Sequence, residues 1–286
     1  MSSLRDIKRR IRSVKSTQQI TKAMEMVSAA KLRKAQQRAE RARPYSEKME
    51  LILTNLSRAT QGGVAPHPYF DMRAVRKTTV VLVTTDRGLC GSFNANLIRK
   101  AWQFLGDYTP QSAELVTVGK RGYTWFRKRA FPIISRHLDF GGNMDYVRVR
   151  RISAELTQRF VSGQTDAIYL IYARFVSIAR SEVVLTRFLP VAPAAGTSGA
   201  SSDYIFEPDP PSIYNDLMPR YATAVIQTAL AESFAAEHAA RMLAMGSATK
   251  SAGEMIDTLT LQYNKARQGA ITKELLDIVG GANAVQ

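Results

Sequence analysis

The segment of this sequence best suited to chemistry is TTDRGLCGSFN, Thr84 to Asn94. It follows a β-branched run and precedes a helical pattern, the setting in which turn amides can cradle a phosphate. Gly88 and Gly91 are its only glycines, so the dinucleotide fingerprint is absent, and no Gly-Lys-Ser/Thr ending follows. It reads instead as a tight strand-to-helix turn whose backbone Asp86 organises. Cys90 could act as a nucleophile beside a helix N-terminus. No histidine stands at a partnering distance in the sequence, and a buried structural thiol is the plainer expectation. The single cysteine also excludes an internal disulfide and a cysteine metal cage. His67, His137 and His238 are scattered without metal-ligand spacing, and Asp86, Glu182 and Asp203 form no acid/base pair. His238 lies in an alanine-rich stretch, which suits packing or an interface. The expectation is therefore no catalytic residue, no metal and no cofactor.

Charge points to binding. The net charge is +16, and residues 1–60 carry 15 Lys or Arg against 5 Asp or Glu, whereas residues 211–286 carry 6 against 7. A basic N-terminal segment favours an acidic protein surface, an anionic lipid or nucleic acid. Lys8, Arg9, Arg10, Arg12 and Lys15 could meet phosphates, but no aromatics are interleaved for base stacking. A basic nucleic-acid-binding helical protein and a small α/β enzyme using the Asp86–Asn94 turn are the two competing readings.

Two kinds of element must carry these residues. All eleven prolines fall between Pro44 and Pro219, leaving both ends free of helix breakers. Leu4, Ile7, Ile11 and Val14 alternate spacings of three and four, the seam of a coiled coil. The stripe then widens to Ile20, Ala23, Met24, Met26, Val27 and Ala30, as expected for a helix with more than one neighbour. Pro44 should kink or break this helix, which resumes until Gly62-Gly63. A second long helix is expected from Arg220 to Val279, rich in alanine and weakened at Gly246, Gly253 and Gly269 by about 1 kcal/mol each. Between them, strands at Thr78–Thr85, Glu114–Val118, Ala167–Phe175 and Val183–Leu189 alternate with helices at Asn94–Leu105, Lys120–Arg129 and Met144–Ser162. That rhythm predicts a small, mostly parallel sheet. The fold class is α/β, with a long antiparallel coiled coil of the N- and C-terminal helices and an inserted Rossmann-like α/β domain. The expected boundaries are 1–60 plus 208–286 for the coiled coil, 75–190 for the α/β domain, and 191–207 for a flexible loop and connection.

The motifs have a family resemblance. STQQITKAMEMVSAAKLRKAQ (Ser16 to Gln36) resembles the N-terminal signature of the gamma subunits of rotary F-type ATP synthases. EHAARMLAMGSATKSAGEMI (Glu237 to Ile256) and YNKARQGAITKELLDIVGGANAV (Tyr263 to Val285) resemble the C-terminal signature, TTDRGLCGSFN the central one, and FEPDP (Phe206 to Pro210) the connection into the last helix. The four matches occur in family order along the whole chain.

The resemblance implies a non-catalytic central-stalk rotor subunit. Its coiled coil would enter a ring of three alpha and three beta subunits, and its α/β domain would meet the epsilon subunit and the membrane c-subunit ring. Rotation driven by proton or sodium flow would be coupled to ATP synthesis or hydrolysis on the beta subunits. By motif, the beta-subunit contacts would be Lys22, Met24, Lys31, Arg267, Gln268 and Thr272. Leu275, Leu276, Ile278 and Val279 would form an apolar bearing tip, and Tyr204 and Glu207 the foot toward the epsilon subunit and the c-ring. No nucleic acid is implied. With only Cys90, the chain lacks the regulatory cysteine pair of chloroplast members. No run approaches the roughly 20 apolar residues of a membrane span, and the first motif begins close to Ser2. A soluble chain attached peripherally to the cytoplasmic side of a bacterial plasma membrane is expected.

Overall fold

A computed structural model describes residues 3–59, 67–191 and 210–283. They divide into two compact units, one made of Met1–Ser28 with Met242–Gln286 and the other of Ala29–Arg241. Helix α1 spans Leu4–Ala59 and helix α5 spans Pro210–Asn283, so each contributes to both.

Within Ala29–Arg241 the chain runs through β1 (Thr78–Val83), α2 (Phe93–Leu105), β2 (Ala113–Val118), α3 (Lys120–Phe126), β3 (Ile133–His137), α4 (Tyr146–Val161), β4 (Ala167–Phe175) and β5 (Ser181–Leu189). The five strands form one sheet in the order β3-β2-β1-β4-β5. Strand β1 pairs in parallel with β2 and β4, β3 pairs in parallel with β2, and β5 closes the far edge antiparallel to β4. All six residues of β1, TTVVLV, are buried. This follows from its central place in a sheet covered on both faces, where apolar residues run without alternation.

Successive side chains of the central strands enter different cores. Val81, Val83, Val116 and Val118 meet Val149, Ile152, Leu156 and Phe160 of α4 and the Met218–Phe234 stretch of α5. Val80, Leu82 and Leu115 point the other way, onto Leu97, Ala101 and Leu105 of α2 and Phe126 of α3. Each such fully buried Leu or Phe contributes roughly 1.5–3 kcal/mol.

One charged group is buried among them. Glu114 of β2, 1% exposed, lies 2.9 Å from Lys77 Nζ and 2.6 Å from Arg159 Nη2, and accepts the Thr79 hydroxyl at 2.8 Å. Burial alone would push its carboxyl pKa up, but the hydrogen bonds from Lys77, Thr79 and Arg159 outweigh it and hold the pKa below the usual value. Those partners tie β2 to the entry of β1 and to the last turn of α4.

In the other unit, residues 4–28 and 242–283 run antiparallel. Glu25 faces Gly246, Thr21 accepts the Thr249 hydroxyl at 2.8 Å, and Gln18 Nε2 donates to the Thr249 carbonyl at 3.5 Å while facing Gly253. The interface is narrow and small-residued. Ile7, Thr21, Ser28, Met245 and Ala252 are its buried members, with Leu4, Ile11 and Val14 half-buried.

The expected fold class holds, and three local expectations are corrected. Of the two outcomes expected at Pro44, a kink or a break, the break does not occur, since helix α1 continues through it. Proline removes one amide hydrogen bond, and the buried Ala42 and Met49 on either side show packing that holds the helix across the gap. Helix α5 starts at Pro210, ten residues before the expected Arg220, and passes through Pro219. Proline suits a helical N-terminus, where its missing N–H has no partner to lose. Strand β3 was not expected. Its sequence, IISRH, follows Pro132 and lies half-buried at the sheet edge, so it lacks the long β-branched run that marks β1. The expected helix end at Gly62-Gly63 and the 191–207 loop and connection lie outside the described residues, apart from Val191.

Candidate functional site

The Thr84–Asn94 segment folds as a latch made of side chain-to-backbone hydrogen bonds. Thr84 Oγ1 donates to the Val118 carbonyl at 3.0 Å and accepts the Gly122 N–H at 2.9 Å. Asn94, in the first turn of α2, accepts the Thr85 N–H at 3.0 Å and donates to Cys90 Sγ at 3.2 Å. Burial pushes the Cys90 thiol pKa up, so the group is a protonated packing residue and not a ready nucleophile.

Asp86 reaches beyond its own turn. Its carboxylate accepts the N–H of Lys120 at 3.1 Å, of Asp139 at 2.9 Å and of Gly141 at 2.8 Å. One side chain thus gathers the loops that follow β1, β2 and β3. Gly119, at φ +89°, permits the crossing, because a Cβ there would stand 2.2 Å from the Thr84 carbonyl oxygen.

Sheets of this topology usually receive ligands at the carboxyl ends of their strands. Here helix α5 packs at that end. His238 Nε2 lies 3.1 Å from the Gly142 carbonyl oxygen, and Arg241 Nε donates to the Gly88 carbonyl at 3.3 Å. Gly142 has φ +73°, and a Cβ on it would come within 2.6 Å of His238 Nε2. Arg241 Nη2 stands 2.9 Å from Glu237 Oε1, an ion pair whose geometry is off the hydrogen-bond direction. Burial raises the Glu237 pKa against the opposing pull of Arg241 and, more weakly, Lys31. Burial also lowers His238 to about 4, so its ring is neutral and Nε2 carries the proton toward Gly142. His238 Nδ1 is buried without a hydrogen-bond partner. These groups were missed as a set from the sequence, although Glu, His and Arg at positions 237, 238 and 241 of an alanine-rich helix were the available sign.

The residues assigned by motif fall into separate places. Lys22 is exposed and pairs with Glu25 at 3.3 Å, and Met24 is half-buried. Lys31 is half-buried in the other unit, where its charge acts on Glu237 and His238. Arg267, Gln268 and Thr272 are all exposed, with the Thr272 hydroxyl donating to the Gln268 carbonyl at 3.0 Å. Leu275, Leu276 and Ile278 are 58%, 66% and 63% exposed, an unusual state for three large apolar side chains within one helical turn. Val279 continues the same helix. Tyr204 and Glu207 lie outside the described residues. Among the described residues, no helix is long and apolar enough to cross a membrane, and no cluster of His, Cys, Asp or Glu could hold a metal ion.

Comparison with known proteins agrees along the full chain. The ATP synthase family model matches residues 3–285. An ATP synthase gamma chain of Anaeromyxobacter sp. (strain Fw109-5) is 46% identical over 290 residues, and those of Pelotomaculum thermopropionicum and Moorella thermoacetica are each 44% identical; all of this chain and all of each relative is covered. Among solved structures, a chain of the Tetrahymena thermophila mitochondrial ATP synthase central stalk and c-ring has a TM-score of 0.61 at 25% identity, covering 80% of this chain and 99% of that one. A chain of the Euglena gracilis mitochondrial ATP synthase has a TM-score of 0.71 at 20% identity, covering 99% and 94%, and bears on the fold alone. The nucleic-acid reading gains no support from any of these. With signatures at both ends, a latched α/β insertion and relatives matched over their whole length, the chain belongs to the ATP synthase gamma-chain family.

Proposed function

We propose that this chain is the central-stalk rotor of an ATP synthase, transmitting rotation and leaving catalysis to the beta subunits. The observation that carries this reading is an antiparallel pair of terminal helices whose far end is apolar and exposed, in a chain that matches gamma chains from end to end. A helix pair with a thin internal seam leaves most of its surface for partners. Three alpha and three beta subunits surround it. The exposed Leu275, Leu276 and Ile278, with Val279, turn in an apolar bearing formed by that ring, while Lys22, Met24, Lys31, Arg267, Gln268 and Thr272 meet the beta subunits. The excess of Lys and Arg in residues 1–60 suits acidic surfaces on those partners.

Coupling follows from asymmetry. A single shaft in a three-fold ring presents a different face to each beta subunit, so each orientation stabilises a different set of three conformations. Ion flow turns the membrane c-ring, and the α/β unit with the Tyr204 and Glu207 segment connects that ring and the epsilon subunit to the shaft. The latch around Asp86 and the His238–Arg241 contacts keep the α/β unit fixed to its stretch of α5, as a torque-bearing joint requires. The expected assignment of domains, with residues 1–60 and 208–286 as the shaft, belongs to this proposal. So does attachment to the cytoplasmic face of a bacterial plasma membrane through the complex.

Reconstitution tests it. The chain is mixed with alpha and beta subunits from the same source, and a bead is fixed to a cysteine introduced at exposed Lys100. An active complex whose bead turns in one direction on ATP is expected. A complex that hydrolyses ATP with the bead stationary, or no complex at all, would overturn the rotor reading.

A further inference from the structure

A groove within the Ala29–Arg241 unit gathers positive charge from three helices. Arg38 and Arg41 of α1, Arg150 of α4 and Arg220 of α5 line it, together with Tyr45 and Tyr146, around a volume of about 810 Å³. No carboxylate is among the described residues that line it. Arg220 has Asp216 at 4.0 Å, but both side chains are largely exposed, 69% and 86%, and such a pair is weak in water. Arg38, Arg41 and Arg150 have no ion-pair partner among the described residues. Four converging cations with little compensation repel one another, and an anion seated among them removes that cost.

The groove also specifies the kind of anion. Guanidinium forks match phosphate oxygens in paired hydrogen bonds. Tyr45 and Tyr146 are 52% and 51% exposed, which leaves ring surface against which a flat heterocycle can pack. The volume falls within the range of about 300–1,000 Å³ common to small-molecule and cofactor sites. We propose that this groove binds a nucleoside polyphosphate, with the phosphate chain across the arginines and the base against a tyrosine. None of the residues lining it is among those assigned above to beta-subunit contact, bearing tip or foot, and its occupancy does not depend on the rotor reading.

Binding of ATP and of inorganic tripolyphosphate to the full chain is measured by calorimetry at about 0.15 M salt, where loose surface attraction is screened. Saturable ATP binding at one site is expected. Arg41→Gln with Arg150→Gln should weaken it by about a hundredfold, roughly tenfold for each guanidinium–phosphate hydrogen bond removed. Tyr45→Ala with Tyr146→Ala should weaken ATP several-fold and leave tripolyphosphate unchanged, while Arg99→Gln on α2 should alter neither. Photolabelling of the unmodified chain with 8-azido-ATP needs no variant and should mark a peptide holding Tyr45 or Tyr146. The proposal is overturned by absent saturation, by equal losses in the Arg99→Gln control, or by labelling elsewhere. It is also overturned if the tyrosine variants bind ATP unchanged, or if an acidic peptide such as polyglutamate displaces ATP at matched charge, which would make the groove a surface for acidic polypeptides.

Discussion

The two compact units are stabilised by different means. In residues 29–241, a five-stranded sheet is covered on both faces, and Leu82, Leu97, Leu156, Phe126 and Phe160 are each buried to within 1% of complete exclusion. In the unit of residues 1–28 and 242–286, the contact between helices rests on alanine, glycine, hydroxyl groups, the buried Ile7 and Met245 and the half-buried Leu4, Ile11 and Val14, while Ile20, Met26, Val27, Met255 and Leu261 remain more than half exposed. The first unit excludes water from its own core. The second presents apolar surface outward, and its full stabilisation requires partners. A rotor needs both, a rigid block to grip and a shaft whose surface is read by others.

Substitutions can break this contrast, beginning with the largest effect. Glu114→Ala leaves Lys77 and Arg159 without their shared buried carboxylate and should destabilise the α/β unit by about 3–5 kcal/mol. Urea unfolding monitored by Trp102 and Trp125 fluorescence would measure it. A loss under about 1 kcal/mol would show the triad to be no more than a surface-like pair.

His238 offers a test with a definite pH sign. Its pKa is about 4 in the folded chain against 6.5 for the free side chain. The unfolded chain therefore takes up the proton first as pH falls, so the stability contributed by a neutral His238 is present above about 6.5 and is lost toward 4. Compared with His238→Gln, the parent chain should lose on the order of 3 kcal/mol more across that window. Glu237 is retained in both and cancels. Parallel stability curves from pH 7 to 4 would contradict the assignment of a buried neutral ring.

The shaft should respond less. Thr249→Val removes the hydroxyl that Thr21 accepts and should cost about 0.5–1.5 kcal/mol, read as faster amide exchange confined to residues near 21 and 249. Smallest of all, Leu276→Ser should change the stability of the isolated chain by less than about 0.5 kcal/mol, since that side chain is already 66% exposed. The same substitution should lower the yield or coupling of the reconstituted complex. A marked destabilisation of the isolated chain would mean that the tip packs internally and would remove the contrast between the units.

Much of this organisation was legible in the sequence. Proline placement marked the two long helices, a β-branched run marked β1 and an apolar, aromatic-containing run marked β4, because those signals are local. Strand β3 escaped because an edge strand need not be apolar on both faces. Continuity through Pro44 and Pro219 escaped because it depends on tertiary packing beside each proline. Asp86 was identified as an organiser of its turn, yet its partners lie 34, 53 and 55 residues away. The match between Gly142 and His238 spans 96 residues. Spacing along a chain carries no record of such meetings.

The antiparallel pairing at the ends of the chain has a consequence for biosynthesis. Gln18 meets Thr249 at a sequence separation of 231 residues. At a ribosomal rate of about 5–20 residues per second, the early helix waits on the order of 10–50 seconds before its partner is made. During that interval the sheet can form from its own successive strands, whereas Leu4, Ile7, Ile11 and Val14 lack the helix that covers them in the finished pair. The order of synthesis therefore leaves the shaft to close last, with the seam face of the early helix open until residues 242–283 have been made.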